Sequence, residues 1–374
     1  MPASAFPLHR PRRDLPAGLL SDAEDYLALG IGADGRAPAV AEDGMRTSGA
    51  PGTWEWWYFD SHLADGSTVV IVFYTKDFNT PFKGMGPMIT VEIDRPDGTH
   101  VEREFKFDAA KWSASETSCD VRVGENYFRG DLEHYEIRVV EGDLDIEVSI
   151  DRTSNSWRPK TGIITFGEDD KFFGWIVAVP QGRTTVSVKS PEVTFTESGS
   201  CYHDHNWGTV LMPKVINHWY WGRAEIGPFT FIVAEIIAEA EFDNVPIVVF
   251  NLARDGHTVA DDERNVTVYR TYPRVGPDSP KPISDRLLFE YEVPDSDVRY
   301  EITLWRKKNL LVAKFLDKII PNTLARGIVS RLTGFDGAYH RFTGEATVRV
   351  FRGGNVVEEY ASPTAVWELM FFGK

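Results

Sequence analysis

Met88–Phe107 reads MITVEIDRPDGTHVEREFKF, and this stretch decides the fold. Two runs rich in strand-forming residues, Met88–Asp94 and Val101–Phe107, flank Arg95-Pro96-Asp97-Gly98. Pro presets the backbone of a turn and Gly accepts the conformations that end it, so the stretch reads as an antiparallel hairpin. Outward toward the N-terminus, Ser67–Tyr74 (STVVIVFY) is β-branched and aromatic throughout. Outward toward the C-terminus, His134–Glu141, the turn Gly142-Asp143 and Leu144–Asp151 form a second hairpin, and Phe173–Val179, Thr184–Lys189 and Glu192–Glu197 continue the meander. Beyond residue 210 the style repeats, with predicted strands at Trp219–Glu225, Phe229–Ile236, Val245–Ala253, Asn265–Tyr272, Arg286–Val293, Val298–Trp305, Tyr339–Phe351 and Val356–Phe372. About eight short strands on each side, punctuated by polar turns, predict an all-β chain of two antiparallel β-barrels in tandem.

A length of 374 residues fits two domains. The boundaries read from the pattern are an arm over 1–50, a first barrel over 51–210 and a second over 211–374. The arm is rich in Pro, Gly, Ala and Asp, with a short helical stretch near Ser21–Leu29. One segment departs from the β pattern. Asn309–Leu332 carries Leu311, Phe315, Ile319, Leu324, Ile328 and Leu332 at helical spacing, and Pro321 splits it, which predicts a short helical insertion. Basic residues crowd the stretch 306–332. It reads first as a helix packed across a barrel with solvated lysines, and second as a lid or a transient membrane-surface contact that admits a lipophilic substrate.

Composition narrows the partners. With 40 Lys and Arg against 56 Asp and Glu, the formal net charge of −16 disfavours nucleic acid. Aromatic residues at 13% favour large apolar surfaces, in a core or around a small-molecule ligand. Cys119 and Cys201 form neither a metal-type spacing nor a disulfide framework. The N-terminal residues lack an apolar run of signal-peptide length, so the cytoplasm is the expected location. No G-x-S-x-G, P-loop or helix-opening G-x-G-x-x-G occurs, so no cofactor is expected.

Three aromatic–polar segments carry the chemistry. In Thr53–Asp60 (TWEWWYFD), alternation puts Trp54, Trp56, Tyr58 and Asp60 on one face and Glu55, Trp57 and Phe59 on the other. A carboxyl such as Glu55 among aromatics is desolvated, its pKa rises, and it becomes a candidate proton donor, with pairing to an Arg as the plainer reading. In Tyr202–Gly208 (YHDHNWG), Tyr202, Asp204 and Asn206 face one way and His203, His205 and Trp207 the other. Histidines two residues apart on a strand can share a metal, with His218, Glu225 or Glu235 as further ligands. No spacing singles one out, and no metal is assigned. The alternatives are a hydrogen-bonded cluster around Asp204 and a polar junction between barrels. In Asn217–Glu225 (NHWYWGRAE), His218 and Tyr220 alternate with Trp219 and Trp221, and Arg223 is positioned to neutralise Asp204 or Glu235.

GTWEWWYFD (Gly52–Asp60), SGSCYHDHNWG (Ser198–Gly208) and WELMFFG (Trp367–Gly373) together resemble the carotenoid 1,2-hydratase (hydroxyneurosporene synthase) and AttH-like family, with fungal kievitone hydratase and lipocalin-like Diels–Alderases as distant members. The resemblance spans about residues 50–374. It implies two lipocalin-like barrels and cofactor-independent chemistry on lipophilic substrates. For a hydratase it implies that a carboxylic acid protonates an isoprenoid alkene, aromatic faces stabilise the cation and water traps it. Asp204 matches the acid role, with Tyr202, His205 and Glu55 as further catalytic candidates. Trp54, Trp56, Trp57, His203, Trp207, His218, Tyr220, Trp221 and Glu235 are candidate substrate contacts. The competing expectations are a cyclase or pericyclase folding a polyene against shaped walls, and a non-catalytic carrier of an apolar ligand.

Overall fold

A computed structural model describes residues 16–31, 37–77, 80, 82–276, 279–314 and 337–372. Contacts divide the chain into two compact units, Leu19–Leu211 and Met212–Lys374, with residues 16–18 counted with the second. Both consist almost wholly of antiparallel strands.

The strands of the first sheet are β1 (Ala17–Leu19), β2 (Trp54–Leu63), β3 (Thr68–Tyr74), β4 (Met88–Asp94), β5 (His100–Lys106), β6 (Trp112–Ala114), β7 (Cys119–Val123), β8 (Asn126–Gly130), β9 (His134–Glu141), β10 (Leu144–Arg152), β11 (Ile163–Phe166), β12 (Glu168–Lys189) and β13 (Thr194–Gly208). They form one sheet in the order β5-β4-β3-β2-β13-β12-β10-β9-β8-β7-β6, with β11 on β12 and β1 on β11. The hairpin at Arg95–Gly98 is present, and Gly98 takes φ 88° where the chain reverses, a value that costs glycine no Cβ clash. Most links join sequence neighbours. β12 with β10 and β11 with β1 depart from this, and the longest-range link between long strands pairs β2 with β13 in register from Leu63↔Gly199 to Trp54↔Gly208. The sheet curls as the barrel reading expects, into a half-barrel whose outer strands β5 and β6 are not joined in the described residues. Alternating residues such as Phe59, Ile71, Phe73, Val91, Phe128 and Ile137 fill its core.

In the second unit the strands are β14 (Ile216–Ile226), β15 (Phe229–Ala238), β16 (Pro246–Arg254), β17 (His257–Ala260), β18 (Val266–Gly276), β19 (Ser279–Glu292), β20 (Val298–Lys314), β21 (Ala338–Arg352) and β22 (Asn355–Phe371). Their order is β17-β16-β15-β14-β22-β21-β20-β19-β18, a second curled sheet with its own core around Phe231, Leu252, Phe289, Leu304, Phe342 and Trp367.

Helix is sparse. α1 (Ala23–Ala28) matches the predicted helical stretch of the arm, and α2 (Met212–Val215) is a single turn. The helical reading of Asn309–Leu332 is corrected at its start. Asn309–Lys314 continue β20 and pair with β21 through Lys314↔Ala338, because ladder bonds to a long partner override a helix-like spacing of leucines. Residues 315–332 of that reading lie outside the described residues. At its basic edge, Arg306 is bonded to Asp285 and Lys307 to Glu345. Among the described residues no helix is long and apolar enough to cross a membrane.

Candidate functional site

β13 separates two buried networks, one on each of its faces. Alternation along β2 and β13, together with the pairs Asp204↔Tyr58 and His205↔Trp57, decides which side chains meet.

On the core face, the arm reaches into the half-barrel. Residues 40–43 form a short 3₁₀ turn that ends at Asp43, which is fully buried. Gly44 lets the chain pass Glu116, since a Cβ there would lie 2.6 Å from the Glu116 carbonyl carbon. Asp43 Oδ2 accepts from the Tyr135 hydroxyl at 2.6 Å and lies 3.2 Å from His203 Nε2, while Asp43 Oδ1 is 3.4 Å from His205 Nδ1. His203 Nδ1 is 2.9 Å from the Tyr58 carbonyl oxygen. His205 stacks on Trp57 at 4.3 Å between centroids, and its Nε2 meets Glu55 Oε1 at 2.8 Å. Glu55 also accepts from the backbone N–H groups of Arg46 and Thr47 and from the Thr47 hydroxyl, at 2.6–2.7 Å. Those contacts occupy the roughly four acceptor positions of a carboxylate, so Glu55 has no vacant lone pair for a transferable proton.

Electrostatics fit a clasp. Burial alone would raise the pKa of Asp43, but the two histidines hold it well below the ordinary carboxylate range. Burial alone would lower that of His205, but Asp43 and Glu55 raise it. The contribution of His205 to stability is therefore complete below its ordinary value of 6.5 and lost as pH rises through the raised value. That of Asp43 is complete above 3.8 and lost as pH falls through the depressed value. We expect the urea midpoint of the first unit to be highest between pH 3.8 and 6.5. A midpoint that stays flat as pH rises above 6.5 would remove His205 from the clasp.

Among the described residues, Asp43, Cys119 and His203 are buried side chains whose ligand atoms converge within 4.8 Å. They fit a metal poorly. Burial pushes the Cys119 thiol well above its usual pKa, so it stays protonated, and its Sγ lies 3.6 Å from the Phe128 carbonyl oxygen.

The opposite face of β13 carries Asp204, which is buried at 9% exposure. Its Oδ2 accepts from Trp175 Nε1 at 2.9 Å and from the Tyr202 hydroxyl at 2.8 Å, and its Oδ1 accepts from Asn206 Nδ2 at 2.8 Å. Three donors favour the carboxylate, yet burial outweighs them and the pKa is pushed up to about 6. Tyr58 and Tyr202 meet edge to face at 6.3 Å, and Trp54 and Trp56 stack at 4.6 Å. The predicted constellation is thus divided. Asp204, Tyr202, Trp54 and Trp56 share one face. Glu55, Trp57, His203, His205 and Trp207 share the other, so His205 and Trp207 do not orient Asp204 by direct contact.

The remaining candidates belong to the second unit. Burial, then Arg270 and Lys281, lowers the pKa of His218 to about 4, and its ring packs on Phe371 at 5.2 Å. The Tyr220 hydroxyl accepts from Ser284 N at 3.0 Å. Glu235 lies opposite Tyr220 on β15, and burial raises its pKa against the opposing Arg270, whose Nε is 3.3 Å away. Arg270 therefore fills the pairing role expected of Arg223. Trp221 alternates onto the other face from Tyr220. Sequence reading missed Asp43 and Trp175. Asp43 lies in a loop-like arm with no periodicity, and Trp175 sits in a strand whose face is set by the bulge between Ile176 and Val179.

Over 215 residues the chain is 28% identical to a hydroxyneurosporene dehydrogenase of Chlorobaculum tepidum, covering 46% of this chain and 54% of that protein. Over 200 residues it is 23% identical to the quinolone epoxide rearrangement protein asqO of Emericella nidulans, covering 50% of this chain and 54% of that one. The chain spans about half the length of these curated relatives. In fold it is similar to CghA solved with Sch210972, with a TM-score of 0.57 at 14% identity over 86% of this chain and 89% of that one. It is also similar to a putative AttH protein of Nitrosomonas europaea, with a TM-score of 0.54 at 15% identity over 91% and 98%. A family model described as Diels-Alderase-like matches residues 48–271, and the chain belongs to that family.

Proposed function

We propose that the chain is a cofactor-independent hydratase, or the reverse dehydratase, acting on an alkene of a lipophilic, terpenoid-like substrate. The observation that carries this reading is Asp204, a buried carboxyl whose pKa is pushed up to about 6 beside aromatic side chains. Both lone pairs of Oδ2 are taken by Trp175 and Tyr202, so the transferable proton belongs on Oδ1, where Asn206 is the one donor. Protonation of the alkene by that group gives a tertiary cation. The π faces of Trp54 and Trp56, on the same side of the sheet, suit its stabilisation, and water completes the addition. Glu55, His203 and His205 serve the site indirectly, by fixing β2 and β13 to the arm.

The test is turnover of acyclic isoprenoid alkenes to tertiary alcohols across pH. The acid must be protonated, so the rate is expected to be highest below about pH 6 and to fall as pH rises through it. The family membership favours a second reading, a pericyclase that folds a polyene against shaped walls. Its signature is cyclised product at a rate indifferent to pH in this range, which would displace the hydratase.

A further inference from the structure

The segments Tyr58-Phe59-Asp60 and Tyr202-His203-Asp204 are two copies of one arrangement. They lie on adjacent antiparallel strands in the register Tyr58↔Asp204 and Asp60↔Tyr202. Each tyrosine hydroxyl bonds the aspartate two residues further along its own strand, Tyr202 to Asp204 Oδ2 at 2.8 Å and Tyr58 to Asp60 Oδ2 at 3.1 Å. Both aspartates are buried, Asp60 at 5% and Asp204 at 9% exposure, and alternation puts both on the same face. They are diagonal neighbours, whose Cβ atoms on adjacent antiparallel strands are about 7–8 Å apart or slightly less. An acid–base pair that works on a water holds its two carboxyl groups roughly 6.5–9.5 Å apart, and side chains rooted on a ladder diagonal of one face can span that gap.

We propose that Asp60 is the second catalytic carboxylate, the general base for the water. This rests on the hydratase reading. Asp204 gives its Oδ1 proton to one alkene carbon, and the π pair becomes the new C–H bond. The water oxygen then bonds the cationic carbon while Asp60 takes one water proton. Asp60 loses that proton to solvent and Asp204 regains one, so alkene and water become alcohol with nothing left over. The dehydratase direction runs the same steps backward.

The experiment incubates the full chain with geranylgeraniol or squalene in D₂O and reads two signals: alcohol formed, and deuterium in recovered alkene. Deuterium exchange needs Asp204 alone, because protonation followed by return of a proton to the same carboxyl leaves an alkene. In Asp60→Asn we expect alcohol formation to fall by about 100-fold or more while exchange stays within a few-fold of wild type. Asp60→Glu keeps the charge and carries the test where the Asn variant does not fold; it should hydrate slowly and exchange normally. Wild-type hydration by Asp60→Asn overturns the assignment and leaves the hydratase reading standing. Loss of both signals in a folded Asp60→Asn also overturns it, since Asp60 would then act through Asp204. A wild-type chain that neither hydrates nor exchanges removes the hydratase reading, and this proposal with it.

Discussion

Asp204→Asn is expected to lower kcat for hydration by about 10²–10⁴-fold while KM changes little. Asparagine keeps the shape of the side chain, and its amide oxygen still accepts hydrogen bonds, so Trp175, Tyr202 and the surrounding backbone have reason to stay in place. What disappears is the one proton that burial holds available near neutrality. Apolar binding surface is untouched, so the loss belongs to the chemical step. Steady-state kinetics on a turned-over alkene check this, alongside a ligand titration that confirms binding. Turnover at the wild-type rate would take the acid role away from Asp204. A pericyclase working by shape alone would also tolerate the change, so the product formed by the variant decides between the two readings.

Asp43→Ala is expected to cost about 3–5 kcal/mol of stability in the first unit, the range for removing one partner of a buried ionic cluster. The variant leaves the Tyr135 hydroxyl without its acceptor and both histidine rings facing a void where a carboxylate had been. Burial cannot be relieved by a small shift, because Asp43 is held in place by the arm's next residues, Arg46 and Thr47, which are fixed to Glu55. Chemical denaturation followed by near-ultraviolet circular dichroism, which reports the packing of buried aromatic side chains, measures the effect. A loss under about 1 kcal/mol would mean that the arm is held elsewhere and that the clasp contributes little.

Much of the architecture is legible in the sequence. Met88–Asp94 and His134–Glu141 were read to the residue, because Pro-Asp-Gly and Gly-Asp turns mark where strands of alternating side chains must reverse. The short strands Trp112–Ala114, Cys119–Val123 and Asn126–Gly130 escaped, since runs of three to five residues carry little periodic signal. Phe173–Val179 and Thr184–Lys189 were read as separate strands, but a bulged β12 carries both. At the site, alternation sorted Asp204 from His205 correctly, and it put Asp60 on one face with Trp56 and Tyr58. It could not show that Glu55 is spent on Arg46, Thr47 and His205, because those partners come from the arm and from β13, whose approach no local pattern encodes. The same holds for Asp43, whose histidine partner lies 160 positions along the chain.

The β2–β13 seam also governs how this unit comes into being. Translation delivers Trp54–Leu63 long before Thr194–Gly208, and until then one edge of β2 presents unpaired amide and carbonyl groups. The hairpins β3–β4–β5 and β9–β10 can zip locally as they emerge. The face that carries Asp60 and Asp204, by contrast, comes together only when the last strand of the unit has arrived and the entropy of closing that long loop has been met. Nascent chains halted ahead of residue 208 would therefore be adhesive intermediates that depend on chaperones, and release of the final strand would be the event that turns an open, sticky edge into a sealed and competent fold.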